Sequence, residues 1–209
     1  MSSLQEYFRF TVTLLAVLDP FLAVPIFLSV TAGRDPGMRS SLVNAVTLTV
    51  FLVLASAAIF GEGLLRLIGA SLPAFQVGGG LVLLLMALSM LNAEVGQIRQ
   101  TEDEAQELET RERFGVVPLA VPLLAGPGAI STTIIAAQSG GPAHLGALLG
   151  CIALVALIQW VVLRLADPMG ARMGTTGLNI ATRLLGLLLA AIAIEMMANG
   201  LKVLLPGLA

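Results

Sequence analysis

The chain has 209 residues, of which 57% are apolar and only 11% are charged, whereas a soluble domain carries about 25% charged residues. Its 11 bases and 13 acids leave a net charge of −2, which excludes the basic surface that nucleic-acid binding requires. The single cysteine excludes an intrachain disulfide. Because the chain also has only one histidine, we predict no metal centre and no cofactor. Composition therefore predicts an all-α, polytopic membrane protein.

Six stretches are long and apolar enough to cross a bilayer, which takes roughly 20 residues. They cover about 8–29, 42–60, 72–91, 115–138, 144–165 and 179–204. The start of the chain lacks the basic region and the cleavage site of a signal peptide, so we expect the first span to be retained. The prediction is a protein with six transmembrane spans.

The bases predict how the spans are oriented. Seven lie in or beside the first, third and fifth loops, and three lie on the other side. Because positively charged loops stay in the cytoplasm, we predict that both termini face outward. The seven are Arg34, Arg39, Arg99, Arg111, Arg113, Arg164 and Arg172, and the three are Arg9, Arg66 and Lys202.

The third loop divides the chain into two sets of three spans, 1–93 and 115–209, joined by an acidic cytoplasmic linker at 94–114. An odd number of spans inverts the second set relative to the first. The tetrapeptide LAVP occurs at 22–25 and again at 119–122, and GLVLLLMALSML at 80–91 resembles GLLLAAIAIEMM at 186–197. We therefore predict two inverted three-helix repeats, as in many secondary transporters.

Two clusters predict breaks in the first and fourth helices. Asp19 before Pro20 has the pattern of a helix start, with an N-cap followed by proline. The second cluster is the Gly-Pro-Gly sequence at 126–128, followed by Ser131 and Thr132. Backbone groups freed in lipid must be covered by protein or water, and a helix N-terminus attracts a carboxylate. We predict that both breaks meet in one midplane cavity; whether they form broken spans or re-entrant hairpins stays open.

The predicted site combines these clusters with polar residues of other spans. Its substrate-binding candidates are Asp19, Pro20, Pro25, Asn44, Gln76, Gly79, Pro122, Gly126, Pro127, Gly128, Ser131 and Thr132. Ionisable groups at bilayer depth are costly and often functional, so Asp19 and Glu195 are the coupling candidates, with Arg183 and Asn199 as further candidates. Simpler roles stay open: a cap alone at Asp19, snorkelling at Arg183, kinks at Pro25 and Pro122, and an ion pair between Glu195 and Lys202.

Four segments resemble the signature sequences of the MarC family of bacterial inner-membrane proteins. They are LDPFLAVPIFLSVTAG, FQVGGGLVLLLMALSML, VPLAVPLLAGPGAIST and RLLGLLLAAIAIEMMANGLK. The resemblance covers nearly the whole chain. It implies six spans in two inverted repeats and a relation to the amino-acid exporter superfamily, some members of the family being described as neutral amino acid transporters.

The expected function is that of an inner-membrane secondary transporter for a small solute, with neutral amino acids as the expected class. Its partners would be the solute and the bilayer, and a homo-oligomer stays open. An enzyme is not expected, because the chain has no Ser/His/Asp set, and it has no P-loop through which ATP could act. Two alternatives remain: a non-transporting scaffold or regulator that uses the acidic loop, and a channel.

Overall fold

A computed structural model describes residues 3–31, 33–92, 125–138 and 140–208. Helices make up nearly all of these residues, and no strand occurs among them, which confirms the predicted all-α fold. The helices are α1 (Ser3–Leu18), α2 (Pro20–Val30), α3 (Pro36–Ile68), α4 (Leu72–Asn92), α5 (Pro127–Ala137), α6 (Pro142–Arg164) and α7 (Ala166–Leu204), which is kinked at Gly174, and a 3₁₀ turn follows at Pro206–Leu208. The acidic linker and the second LAVP sequence, with Pro122, lie outside the described residues.

Five stretches of the described helices are long and apolar enough to cross a membrane: Leu4–Leu28, Pro36–Ile68, Leu72–Asn92, Pro142–Arg164 and Thr176–Leu204. The first of them covers most of α1 and most of α2. Helix α5 has 11 residues, so it spans only about 17 Å of a hydrocarbon core about 30 Å thick. The remainder of the predicted fourth span, 115–124, lies outside the described residues.

Local capping signals define both ends of α3. The carboxylate of Asp35 accepts a hydrogen bond from the Gly37 amide at 3.0 Å, and Pro36 is the first helical residue. At the other end, Gly69 takes the left-handed conformation with φ 71°, which stops the helix. The 33 residues between these caps extend for about 50 Å, so α3 tilts or projects beyond the hydrocarbon core.

Helix α3, in the first predicted repeat, runs antiparallel to α6, in the second. The indole nitrogen of Trp160 in α6 donates to the Asn44 side chain of α3 at 2.8 Å. Four residues away in each helix, Arg164 donates to the Ser40 hydroxyl at 3.0 Å. The residue number rises in α6 as it falls in α3, so the two helices point in opposite directions.

Helices α4 and α7, the last of each half, are also antiparallel and touch through their backbones. A Cβ atom on Gly80 would lie 2.9 Å from the carbonyl oxygen of Ala193, and one on Gly200 would lie 2.6 Å from the carbonyl oxygen of Pro73. Small residues permit such close approach inside a membrane, where packing replaces the hydrophobic effect. We call this contact the α4–α7 seam.

Contacts between the halves are reciprocal. Helix α2 packs against α6 and α7 of the second half, and α5 packs against α3 and α4 of the first half. The α3–α6 and α4–α7 pairs each join helices that the predicted repeat would make equivalent. This pairing is the one that a two-fold axis in the membrane plane would generate. The axis itself, and the equivalence of Pro25 with Pro122, stay predictions.

Ion pairs between different helices lie toward the two ends of the bundle. Arg9 and Glu195 pair at one end, which we call the N-terminal face, and Arg39 pairs with Asp167 at 2.9 Å at the other, which we call the opposite face. The interior between them is formed by apolar residues of every helix. This layering of charge, apolar core and charge is that of a helix bundle in a bilayer.

Candidate functional site

The first helix breaks at Asp19. Helix α1 ends at Leu18, Asp19 has a φ of 43°, and α2 begins at Pro20. Aspartate tolerates this left-handed conformation better than most residues because its side chain bonds locally. Its Oδ1 accepts a hydrogen bond from the Leu22 amide at 3.3 Å, which confirms the predicted cap. The side chain is fully buried and lies midway along the Leu4–Leu28 stretch.

Helix α5 begins without a side-chain cap. Gly126 precedes it in an extended conformation and makes no side-chain hydrogen bond to it, and Pro127 is the first helical residue. The amides of Gly128 and Ala129 therefore belong to the first turn, whose N–H groups have no partner within the helix. Both residues are buried, whereas Pro127 is exposed. The result is a positive helix end in the interior of the bundle.

The two breaks approach each other. A Cβ atom on Gly128 would lie 3.4 Å from Cγ1 of Val17, and 2.8 Å from both Leu83 Cδ2 and Met86 Sδ of α4. Val17 lies in the last turn of α1, two residues before Asp19. The first turn of α5 thus packs directly beside the point where α1 ends. That a polar cavity joins the two breaks stays a prediction.

Hydroxyl groups line the first turns of α5. Ser131 donates to the carbonyl oxygen of Pro127 at 2.7 Å, and Thr133 donates to that of Ala129 at 2.8 Å. The Thr132 hydroxyl is buried and has no hydrogen-bond partner in the described part of the chain. Gly79 of α4 allows close packing here, because its Cβ would lie 3.1 Å from the Ser131 Cβ.

Sequence reasoning missed Gln159. This residue of α6 is fully buried, and neither its amide oxygen nor its amide nitrogen has a hydrogen-bond partner among the described residues. It shares the buried face of α6 with Ile152, Val155 and Leu163. The available signal was an amide inside the otherwise apolar run ALVALIQWVV. The Thr47 hydroxyl of α3 is likewise buried without a partner.

The other predicted site residues are spread over several helices. Asn44 is exposed and accepts the hydrogen bond from Trp160, whose ring also lies 4.7 Å from the Arg164 guanidinium. Gln76 packs beside Gly200, toward the N-terminal face. Pro20 is buried at the break, and Pro25 is exposed one and a half turns along α2.

Glu195 is separated from Asp19. Both of its carboxylate oxygens accept hydrogen bonds from Arg9 at 2.7 Å, and the two side chains are about half exposed. Arg9 lies ten residues before Asp19, which is about 15 Å along a helix. Arg183 and Asn199 are also exposed. The structure therefore places one coupling candidate at the break and the other in an ion pair at the N-terminal face.

An apolar helix interrupted at a buried carboxylate, a second helix that begins beside it, and buried polar groups define the class of protein. The chain is a multi-pass integral membrane protein whose first apolar stretch is interrupted at Asp19. A family model described as "MarC family integral membrane protein" matches residues 4–205. The chain belongs to the MarC family, as the resemblance of its segments predicts.

Relatives in several organisms match over more than nine-tenths of their length. The chain is 36% identical over 203 residues to the UPF0056 membrane protein YhcE of Escherichia coli, with 97% of this chain and 94% of the relative covered. It is 32% identical over 199 residues to YvbG of Bacillus subtilis, with 94% of each covered. A membrane protein of Aquifex aeolicus is 34% identical over 199 residues, with 92% and 91% covered. No solved structure matches the chain significantly.

Proposed function

We propose that the protein is a secondary transporter of the bacterial inner membrane and that it carries a small neutral amino acid. The solute binds between the α1–α2 break and the first turn of α5. The contact between Gly128 and Val17 carries this proposal, because it brings an uncapped helix N-terminus next to the turn that contains a buried carboxylate.

The electrostatics of this place suit a zwitterion. The first-turn amides of α5 and the helix dipole favour a negative group, so they can hold the solute carboxylate. The Asp19 carboxylate favours a positive group, either the solute ammonium or a coupling cation. A neutral amino acid carries both charges with no net charge, and it therefore needs no compensating ion in the bilayer interior.

Buried polar groups disfavour a purely structural role. Polar atoms without partners reduce stability, and a scaffold would gain nothing that offsets this cost, whereas a binding site gains affinity. We also propose that no covalent chemistry accompanies transport. A channel that uses the same interior is the second candidate, and the transport assay separates it from a carrier.

The test is uptake into proteoliposomes of purified protein, with a panel of labelled neutral amino acids and with proton, sodium or no imposed gradient. A carrier is expected to show saturable uptake that unlabelled solute loaded inside the vesicles accelerates by exchange. A channel would show flux without this exchange. Empty liposomes are the control, and a folded protein that moves none of the panel would refute the proposal.

Substitutions at Asp19 are expected to separate its charge from its role as a cap. Asparagine both caps a helix and tolerates a positive φ, so Asp19→Asn should fold like the wild type and still bind solute, yet lose the dependence of uptake on an ion gradient. Asp19→Ala loses the cap, at about 1 kcal/mol, and strains the left-handed residue by about 1–2 kcal/mol. We expect a thermal-shift assay to show a clear fall in Tm for the alanine variant only.

Asp19→Gly is the matched control, because glycine relieves the strained φ while it also removes the charge. Its Tm should fall between those of the asparagine and alanine variants, since glycine caps better than alanine. Gradient-dependent uptake by Asp19→Asn, at the wild-type level, would contradict the coupling role and leave Asp19 as a cap.

The termini are expected to lie outside the cytoplasm, because seven bases lie on the opposite side against three on theirs. A green fluorescent protein inserted at Ala105, within the linker, should fluoresce in cells. An alkaline phosphatase fusion at Ala70, between α3 and α4 on the N-terminal face, should be active. The reverse pattern at both points would invert the assignment without affecting the fold.

A further inference from the structure

The amide of Gln159 is the most completely unsatisfied polar group in the described part of the chain. Its side chain is fully buried, and both of its polar atoms lack a hydrogen-bond partner. Folded proteins leave few such groups, because each one loses its bonds to water without compensation. A methionine or leucine would fill the same space at no such cost. The amide therefore points to a partner that the folded chain does not supply.

Gln159 lies at the depth of the α1–α2 break. Tyr7 of α1 contacts α6 at two points: its hydroxyl is 3.0 Å from Nδ1 of His144, and its carbonyl oxygen is 3.9 Å from the Cys151 sulfur. Both helices run away from the N-terminal face. Asp19 lies about 18 Å beyond Tyr7 along α1, and Gln159 lies about 22 Å beyond His144 and about 12 Å beyond Cys151 along α6. The two residues are thus level within about one helical turn.

Two further buried hydroxyls have no partner among the described residues. In α3, Thr47 is three residues from Asn44, whose partner Trp160 is adjacent to Gln159, so Thr47 is level with Gln159 within about 5 Å. In α5, Thr132 lies one turn beyond Gly128, which packs against Val17. Helix α6 contacts α1, α2, α3 and α5. The unsatisfied groups of α3 and α6 therefore lie at the level of the break, and that of α5 lies one turn nearer the N-terminal face, because α5 continues to Ala136, whose carbonyl oxygen is 3.0 Å from Nε2 of His144.

We propose that Gln159 is a specificity-determining residue that binds an uncharged polar group of the transported solute. A carboxamide presents a donor and an acceptor side by side. A solute carboxylate would satisfy only the amide nitrogen, and an ammonium would satisfy only the oxygen. A second carboxamide or a hydroxyl both donates and accepts, so it satisfies both atoms. The favoured solutes are neutral amino acids with carboxamide or hydroxyl side chains.

This inference rests on the proposed function. It assigns Gln159 to the side chain of the solute, whereas the break holds the charged ammonium and carboxylate groups of the solute. A site that reads a hydrogen-bonding group discriminates strongly against an analogue without that group, because its own buried atoms then stay unpaired. We therefore expect L-asparagine, L-glutamine or L-serine to bind at least about tenfold more tightly than L-leucine. L-Aspartate should bind poorly, since its side-chain carboxylate would accept from the amide nitrogen and leave the amide oxygen of Gln159 unpaired.

The variant Gln159→Met tests the assignment. Methionine keeps the length of the side chain and removes both polar atoms, so the protein without solute should become more stable, with a Tm higher by about 2–4 °C. At the same time, the solute-induced rise in Tm and the preference for L-glutamine and L-serine over L-leucine should be lost. A residue with a purely structural hydrogen bond would show the opposite sign, a fall in Tm.

Leu163→Met is the matched control. Leu163 lies on the same buried face of α6, four residues further along, and is equally buried. An exchange between apolar residues of similar volume is well tolerated, so this variant should keep both the Tm and the solute preference of the wild type. Gln159→Glu is the second variant: it keeps the acceptors, replaces the donor by a charge, and should abolish the response to all three polar amino acids.

Two results would overturn the assignment of Gln159 without affecting the proposed function. One is a folded Gln159→Met protein whose solute preference is unchanged, which would mean that the amide binds a buried water. The other is a fall in the Tm of that variant. Binding of no amino acid by the wild-type protein would refute the proposed function, and the assignment of Gln159 would fall with it. If the wild-type protein transports L-leucine faster than L-glutamine, the assignment of Gln159 is refuted. The proposed transport function would then stand.

Discussion

Gly128→Leu is expected to abolish solute uptake while the protein remains inserted and folded. Even a single Cβ at this position would lie 2.8 Å from the side-chain ends of Leu83 and Met86, and 3.4 Å from Val17. Leu83 and Met86 can move aside, but a leucine must then occupy the space between the first turn of α5 and the end of α1. This is the place where the proposed function requires the solute.

The size of the effect follows from the packing. Overfilling a packed interior costs about 1–3 kcal/mol, and if that cost falls on the solute-bound state, affinity drops by about 5- to 150-fold. Gly128→Ala should lose less, because a methyl group needs only small shifts of two flexible side chains. Uptake and the solute-induced shift in Tm should fall in the order wild type, alanine, leucine.

Gly150→Leu is the control for this series. Gly150 lies in α6 on an exposed face, and a Cβ there would meet nothing within 4 Å. The same substitution in a membrane helix should therefore leave uptake unchanged. A Gly128→Leu protein that has the Tm of the wild type and transports normally would show that the solute binds elsewhere.

Two glycines of α4 that are two residues apart are expected to respond to alanine with opposite signs. Gly78 is exposed and its Cβ position is open, whereas a Cβ on Gly80 would lie 2.9 Å from the carbonyl oxygen of Ala193 and closer still to the Met197 side chain. Alanine in a helix is favoured over glycine by about 1 kcal/mol. Gly78→Ala should therefore raise the Tm, and Gly80→Ala should lower it, because a carbonyl of the partner helix cannot rotate away.

Gly200→Ala extends the test to the other end of the α4–α7 seam, where the obstructing atom is again a backbone oxygen, that of Pro73 at 2.6 Å. Forcing the backbones apart costs about 1–3 kcal/mol, which exceeds the gain in helix propensity. Thermal shifts of the three variants in one detergent provide the measurement. A rise in Tm for both Gly80→Ala and Gly200→Ala would mean that the seam is not packed as described.

The class of protein and its first break could be predicted from the sequence because both depend on local physics. A long apolar run with few charges has to be covered by lipid, and this holds regardless of the neighbouring helices. The pair Asp19-Pro20 predicts a helix start because the cap and the proline act within one turn. The Gly-Pro-Gly sequence at 126–128 acts in the same way, and α5 indeed begins there.

Only the tertiary structure decided which polar groups belong together. Glu195 had Lys202 as a partner within its own helix, yet it pairs with Arg9, 186 residues away. Apolar residues lie almost all round α6, so its sequence does not predict whether Gln159 faces the lipid or the interior. The burial of that amide depends on the helices packed around it. Gly78 and Gly80 are identical in sequence terms and differ only because one faces α7. The sequence determined a membrane protein with a broken helix, since those signals act within a turn; contacts between distant segments determined the interior of the site.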